Sequence, residues 1–145
     1  MARVEESVKI NRPVDTVFAY TTEAKSWPKW QSFIMEAEQT SPGPMGVGTT
    51  FKGTNRMMGR SMKWTAKVTE HEPNRKWAKS ITCGSMLIEE HVTYDPIEGH
   101  IKFTIVYDMK VGGFLKLFSP MVVGSMRKET KKSLSSLKSI LEAQT

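Results

Sequence analysis

The stretch from Ser119 to Ala143, SPMVVGSMRKETKKSLSSLKSILEA, does most to limit what this chain can become. Val123, Met126, Thr130, Leu134, Leu137 and Leu141 recur at spacings of three and four, which puts them on one stripe of a helix. Arg127, Lys128, Lys131, Lys132 and Lys138 fall mostly off that stripe. Ser119 followed by Pro120 is a helix-start signal, since a proline lacks only an N–H that the first turn does not use. Gly124 alone weakens the pattern, by about 1 kcal/mol relative to alanine. At 1.5 Å per residue such a helix is about 36 Å long. Its apolar stripe has to be covered, and the rest of the chain must supply the cover.

Most of the upstream chain has strand periodicity. Val4, Glu6, Val8 and Ile10 share one parity. Pro13 then opens a short helix with Val14, Val17, Phe18 and Thr21 at helical spacing, and residues 23–30 read as a second short helix or turn around Trp27, Pro28 and Trp30. Residues 33–40 alternate through Phe33, Met35 and Ala37. Four further alternating segments and the residues 76–82 are separated by turn-forming clusters: SPGPMGVG, MGR, EPN, CGS and DPIEG. Met62, Trp64, Ala66 and Val68 share a face. So do Met86, Ile88, Glu90, Val92 and Tyr94, and Ile101, Phe103, Ile105, Tyr107 and Met109. Short turns demand antiparallel pairing, and alternation demands one buried face. The expected architecture is α+β: a curved seven-stranded antiparallel sheet around the long C-terminal helix, with two short helices between the first and second strands. Residues 1–145 are expected to form one domain, since no repeat, linker or low-complexity segment interrupts them.

The order and several local motifs resemble the START-like and polyketide cyclase/dehydrase (SRPBCC) superfamily, the helix-grip fold. Arg12-Pro13-Val14-Asp15-Thr16-Val17-Phe18 is similar to that family's opening into its first helix. Trp27-Pro28-Lys29-Trp30 resembles its second-helix signature, Gly46-Val47-Gly48-Thr49 its turn into the third strand, and Val68-Thr69-Glu70-His71-Glu72-Pro73 the end of its fourth. The resemblance implies a cavity between sheet and helix that takes hydrophobic small molecules such as lipids or polyketides. These motifs are signatures of fold, so no catalytic set transfers with them.

The residues exclude several chemistries. His71, His91 and His100 lie in separate segments without metal-ligand spacing, Cys83 has no CxxC partner, and no GxSxG, GxGxxG or P-loop occurs. No metal, cofactor or catalytic set is therefore expected. The net charge is +6, and much of the basic excess sits on the last helix, without interleaved aromatics. It implies weak contact with an anionic membrane surface and no specific nucleic acid. The lone cysteine and an N-terminus without an apolar signal core lead to an expectation of a cytoplasmic protein, and the oligomeric state is left open. Glu6 and Glu90 share parity with apolar neighbours; the simpler reading places each near a strand end or bulge, with access to solvent or to a basic partner.

Ten methionines, several on inward parities, suggest an adaptable interior. The expected cavity lining is Met35, Phe51, Met62, Trp64, Glu90, Phe103, Ile105, Tyr107, Phe114, Phe118, Met121 and Met126, with residues 112–118 as an entrance flap. The leading functional expectation is a carrier or sensor that binds a hydrophobic or amphipathic small molecule. One alternative is a cyclase/dehydratase-type enzyme using Glu90, Tyr107 or a histidine as acid or base. The other is an anionic-surface binder acting through the basic helix. A pocket carboxylate facing a tyrosine or histidine favours the enzyme, and a smooth apolar pocket favours the carrier.

Overall fold

The computed structural model describes residues 2–57, 59–112 and 119–144. The elements in order are β1 (Ala2–Ile10), α1 (Val14–Thr21), a 3-10 turn (Ala24–Ser26), α2 (Trp27–Trp30), β2 (Ile34–Gln39), β3 (Thr50–Met57), β4 (Arg60–Glu72), β5 (Lys76–Cys83), β6 (Met86–Ile97), β7 (His100–Val111) and α3 (Ser119–Ala143). The strands form one antiparallel sheet in the order β1-β7-β6-β5-β4-β3-β2. Strands β1 and β2 are separated only by the short helices, yet they occupy opposite edges. The chain therefore crosses the open side of the sheet through α1 and α2, and α3 lies against β1 and α2 on that side. This is the helix-grip arrangement.

Turn chemistry sets the meander. Glu98 and Gly99 both take positive φ, at 45° and 83°, as a two-residue turn of the primed type requires between β6 and β7. The alternation of β6 and β7 appears directly as burial: Met86, Ile88, Glu90, Val92 and Tyr94 are buried, as are Ile101, Phe103, Ile105, Tyr107 and Met109.

The helix stripe is also as expected for Met126, Thr130, Leu134, Leu137 and Leu141, which are all buried. At its start the phase differs: Val122 is buried and Val123 is only partly so. Two polar residues complete the stripe because they satisfy themselves within the helix. Thr130 Oγ1 donates to the Met126 carbonyl at 2.6 Å, and Ser133 Oγ donates to the Glu129 carbonyl at 2.7 Å.

The C-terminal end of α3 is tied to the end of β1. Lys138 Nζ donates to the Lys9 carbonyl at 2.8 Å and to Glu142 Oε2 at 2.6 Å, and Glu142 Oε2 also accepts the Asn11 backbone N–H at 2.9 Å. The Lys138 hydrogen bond, then that of Asn11, holds the Glu142 carboxyl below its usual range.

Two outcomes test this packing. Leu137→Ala should cost about 2–5 kcal/mol, because a fully buried leucine leaves a cavity. The exposed Lys131→Ala should stay within about 0.5 kcal/mol. Equal small losses in denaturant unfolding at both positions would overturn the grip arrangement. Glu142 has a depressed folded-state value, so its contribution is present above the ordinary carboxylate range and lost as pH falls through the depressed value. Glu142→Gln should lower the melting temperature at neutral pH, and the gap from the parent should close in acid; a gap independent of pH would show that the tie does not depend on charge.

Candidate functional site

The interior between sheet and helix is organised around Trp27, which is fully buried. Its ring stacks on Trp77 at 5.9 Å and packs against Phe51 at 4.9 Å and Trp64 at 6.4 Å. Its Nε1 donates to the Thr21 carbonyl at 2.8 Å, which joins α2 to the end of α1. A chain of hydrogen bonds fixes α1 to the sheet beside it. Trp77 Nε1 donates to Tyr94 Oη at 3.1 Å, Tyr94 Oη meets Thr21 Oγ1 at 2.6 Å, and Thr21 Oγ1 donates to the Val17 carbonyl at 2.7 Å. Burial raises the Tyr94 phenol far above its ordinary value, so it stays a neutral link in that chain.

On the other side of Trp27 lies a charge. Lys79 Nζ sits 3.7 Å from the Trp27 ring centroid and 4.8 Å from that of Trp77. It pairs with Glu90 Oε2 at 3.5 Å, and Lys79 and Glu90 are only 2% and 3% exposed. The two residues face each other across β5 and β6, and Glu90 faces Tyr107 across β6 and β7. Lys79, Glu90 and Tyr107 thus form a polar row through the middle of the sheet. Burial pulls the Lys79 ammonium below its usual range, against the opposing charge of Glu90. Burial first, then the charge and hydrogen bond of Glu90, raise the Tyr107 phenol well above its usual value.

This row reaches a small internal cavity of about 20 Å³, lined by Phe33, Ile34, Asn55, Trp64, Lys79, Ile81, Met86, Ile88, Tyr107 and Met126. That is room for about one water molecule. Two of the lining residues each carry a buried polar atom without a hydrogen-bond partner among the described residues, Asn55 Oδ1 and Trp64 Nε1. One is an acceptor and the other a donor. Outside it lies an open cleft of about 270 Å³, bounded by Ser32, Phe33, Arg56, Gly59, Ser125, Met126, Glu129 and Lys132. Phe33 and Met126 line both spaces, so these two side chains separate the cleft from the cavity.

Of the residues expected to line the cavity, Trp64, Tyr107 and Met126 line this one; Glu90 does not, and lies between Lys79 and Tyr107 in the sheet. Phe51, Phe103 and Ile105 are packed core, and Met62 is half-buried against that core. Phe114 and Phe118, and the flap over 113–118, lie outside the described residues. Two expectations are corrected. Met35 is 47% exposed because the register between β2 and β3 shifts between Ile34 and Glu36, turning Met35 outward and Ile34 inward. Met121 is 59% exposed because the buried stripe of α3 begins at Val122. Glu90 lies mid-strand rather than at a strand end, but it does meet a basic partner, Lys79, as the simpler reading allowed.

Lys79 and Asn55 were missed, although the sequence carried a signal for both. Lys79 shares parity with Trp77, Ile81 and Cys83, and Asn55 with Phe51. Each is a polar residue on an apolar face. Among the described residues no three His, Cys, Asp or Glu side chains group as a metal site, and no helix is long and apolar enough to cross a membrane.

The family model for polyketide cyclase/dehydrase and lipid transport matches residues 1–142. The chain belongs to this family. No curated protein matches it in sequence. Among solved structures it is similar to a protein of Thermus thermophilus, with a TM-score of 0.84 at 15% identity over 99% of this chain and 100% of the other. The Zhui aromatase/cyclase of a Streptomyces species gives a TM-score of 0.83 at 12% identity over 99% and 94%. A START superfamily protein of Mycobacterium smegmatis gives 0.83 at 14% identity over 99% of both chains. At these identities the likeness is one of fold.

The buried pair generates a test. Removing one partner leaves an uncompensated buried charge, whereas replacing both by apolar groups removes the desolvation cost. Lys79→Met or Glu90→Leu alone should each lose about 3–5 kcal/mol, and the double variant should recover most of it. Additive losses in a double-mutant cycle would show that the two charges are not coupled.

Proposed function

We propose that this chain binds a small amphipathic molecule, of lipid or polyketide type, between the sheet and α3. The observation that carries this reading is the pair of unpartnered polar atoms in the cavity wall. A buried acceptor and a buried donor without partners each cost stability; a guest hydroxyl, which donates and accepts, would satisfy both, and a guest carbonyl would satisfy the indole N–H. The cavity is small with its walls closed, and entry from the cleft requires Met126 and Phe33 to move aside. Met126 suits that role because an unbranched thioether changes rotamer at little cost. The apolar body of the guest then replaces their contacts with Ile34, Ile81, Met86 and Ile88.

A second reading, an acid–base enzyme acting on a polyketide-like guest in the same cavity, is favoured by one observation: a buried carboxylate, Glu90, faces a buried phenol, Tyr107. The smooth apolar wall expected of a simple carrier is absent from the described lining. The exposed Arg127, Lys128, Lys131 and Lys132 on the outer face of α3 would add a weak, salt-sensitive attraction to anionic membrane surfaces. A reducing, cytoplasmic setting fits the buried free thiol of Cys83, which burial makes harder to ionise.

Fatty acids, fatty alcohols and flat phenolic polyketide-like compounds should be screened by thermal shift and by tryptophan fluorescence. A ligand specific for the folded state stabilises it by about 2.7 kcal/mol at a hundredfold excess over Kd. Hydroxyl- or carbonyl-bearing compounds should raise the melting temperature and perturb Trp64 emission. Asn55→Leu should weaken the hydroxyl-bearing compounds roughly tenfold, about 1.4 kcal/mol, without unfolding the protein. A screen with no shift from any of these classes would sink the binding reading.

A further inference from the structure

Lys79 has more than a structural place in this cavity. Lys79 lines the space with Asn55, Trp64 and Tyr107, its Nζ stands 3.7 Å from the Trp27 ring centroid, and its counter-ion Glu90 is 3.5 Å away and equally buried. A lysine used only to neutralise a buried carboxylate is an expensive device, since both groups lose their hydration. An amine held in an apolar, aromatic-walled interior beside a base is, in contrast, the arrangement that makes lysine a nucleophile toward carbonyl carbon. We propose that Lys79 is the nucleophile of a site that captures a β-dicarbonyl guest as an enaminone, with Glu90 as its proton acceptor. The proposal rests on the small-molecule reading of the same cavity.

The step balances within the groups present. Glu90 takes one proton from the Lys79 ammonium, and the freed lone pair forms a bond to the carbonyl carbon. The carbonyl π pair moves to oxygen, which takes a second proton from the nitrogen. The hydroxyl then leaves as water with a hydrogen from the carbon between the two carbonyls, and a carbon–carbon double bond forms there. The product is a neutral enaminone that retains one N–H, beside a neutral Glu90. Nothing is oxidised or reduced. A β-dicarbonyl suits this interior better than a simple ketone, because its product carries no charge in a buried wall that includes Ile34, Ile81, Met86 and Ile88. The guest's second carbonyl remains, and the unpartnered Trp64 Nε1–H is the donor available to it. The lowered proton affinity of the buried Lys79 amine agrees with this role.

The test uses 2,4-pentanedione on the intact protein at neutral pH. Enaminone formation is followed by its near-ultraviolet absorbance, the modified lysine is located by peptide mass mapping, and the melting temperature is recorded in parallel. Modification at Lys79 should be roughly tenfold or more faster than at any exposed lysine. The absorbance should be lost in Lys79→Met/Glu90→Leu, the variant expected to keep its fold. The wild-type map decides the matter even if that variant fails to fold. Labelling spread over surface lysines with none at Lys79 would overturn the proposal. A raised melting temperature without a label on Lys79 would overturn it while leaving the binding reading intact. Neither shift nor label would count against both.

Discussion

Trp27 is the contact on which the rest of the interior depends. One indole closes three interfaces at once. Its N–H secures α1 through the Thr21 carbonyl, its edges meet Phe51 and Trp64 on β3 and β4, and its face carries the ammonium of Lys79 from β5. Without that flat, electron-rich surface, the cation would be left with Glu90 at a loose 3.5 Å and the more distant Trp77 ring at 4.8 Å. The short helices are thus more than a link between β1 and β2. They bring an aromatic lid to the charged middle of the sheet, and the hydrogen-bonded chain from Trp77 through Tyr94 and Thr21 fixes the lid's position. That chain is fully satisfied and structural. The row on the far side of Trp27 is the one that leaves Asn55 Oδ1 and Trp64 Nε1 unpaired.

Close packing over Trp64 shows why that residue is fixed. Gly53 lies opposite it on β3, and a Cβ at that position would collide with the Glu36 carbonyl oxygen and stand 2.5 Å from Trp64 Cζ2. Any side chain there would displace either a backbone or an indole, so the tryptophan's position follows from the glycine. The opposite wall is different in kind. Met126 comes from α3, two residues past Gly124, whose Cβ position meets open space. One wall of the cavity is therefore fixed by close packing around Trp64, and the other is a flexible thioether on the helix.

Much of this was legible in the chain, for a physical reason. Strands with one buried face write that face into parity, so β6 and β7 could be read residue by residue, Glu90 included. The long helix wrote its stripe into spacing, and Leu134, Leu137 and Leu141 followed. What was not legible came from irregularity or from polarity. The bulge that turns Met35 outward leaves no mark in the alternation of Phe33, Met35 and Ala37, because a one-residue shift changes every face after it. The phase of the first turn of α3 was equally ambiguous, since Met121, Val122 and Val123 are all apolar. Lys79 and Asn55 were hidden by the opposite problem. Their parity pointed inward, but their chemistry suggested solvent, and each becomes intelligible only once Glu90 and the cavity stand opposite them. The family motifs gave the fold and were silent on this row.

The polar row also bears on what sort of guest the interior favours. An ion pair in an apolar wall has no net charge but a large local field, and Tyr107 extends that field toward the cavity. A purely apolar guest gains nothing from it and leaves the Asn55 and Trp64 groups unpaired, so each such guest binds against a standing desolvation penalty. A guest with one polar end removes that penalty and keeps its hydrophobic gain along Ile81, Met86 and Ile88. Discrimination then comes from the unpaired groups rather than from shape, because the methionine wall adapts and the polar wall does not.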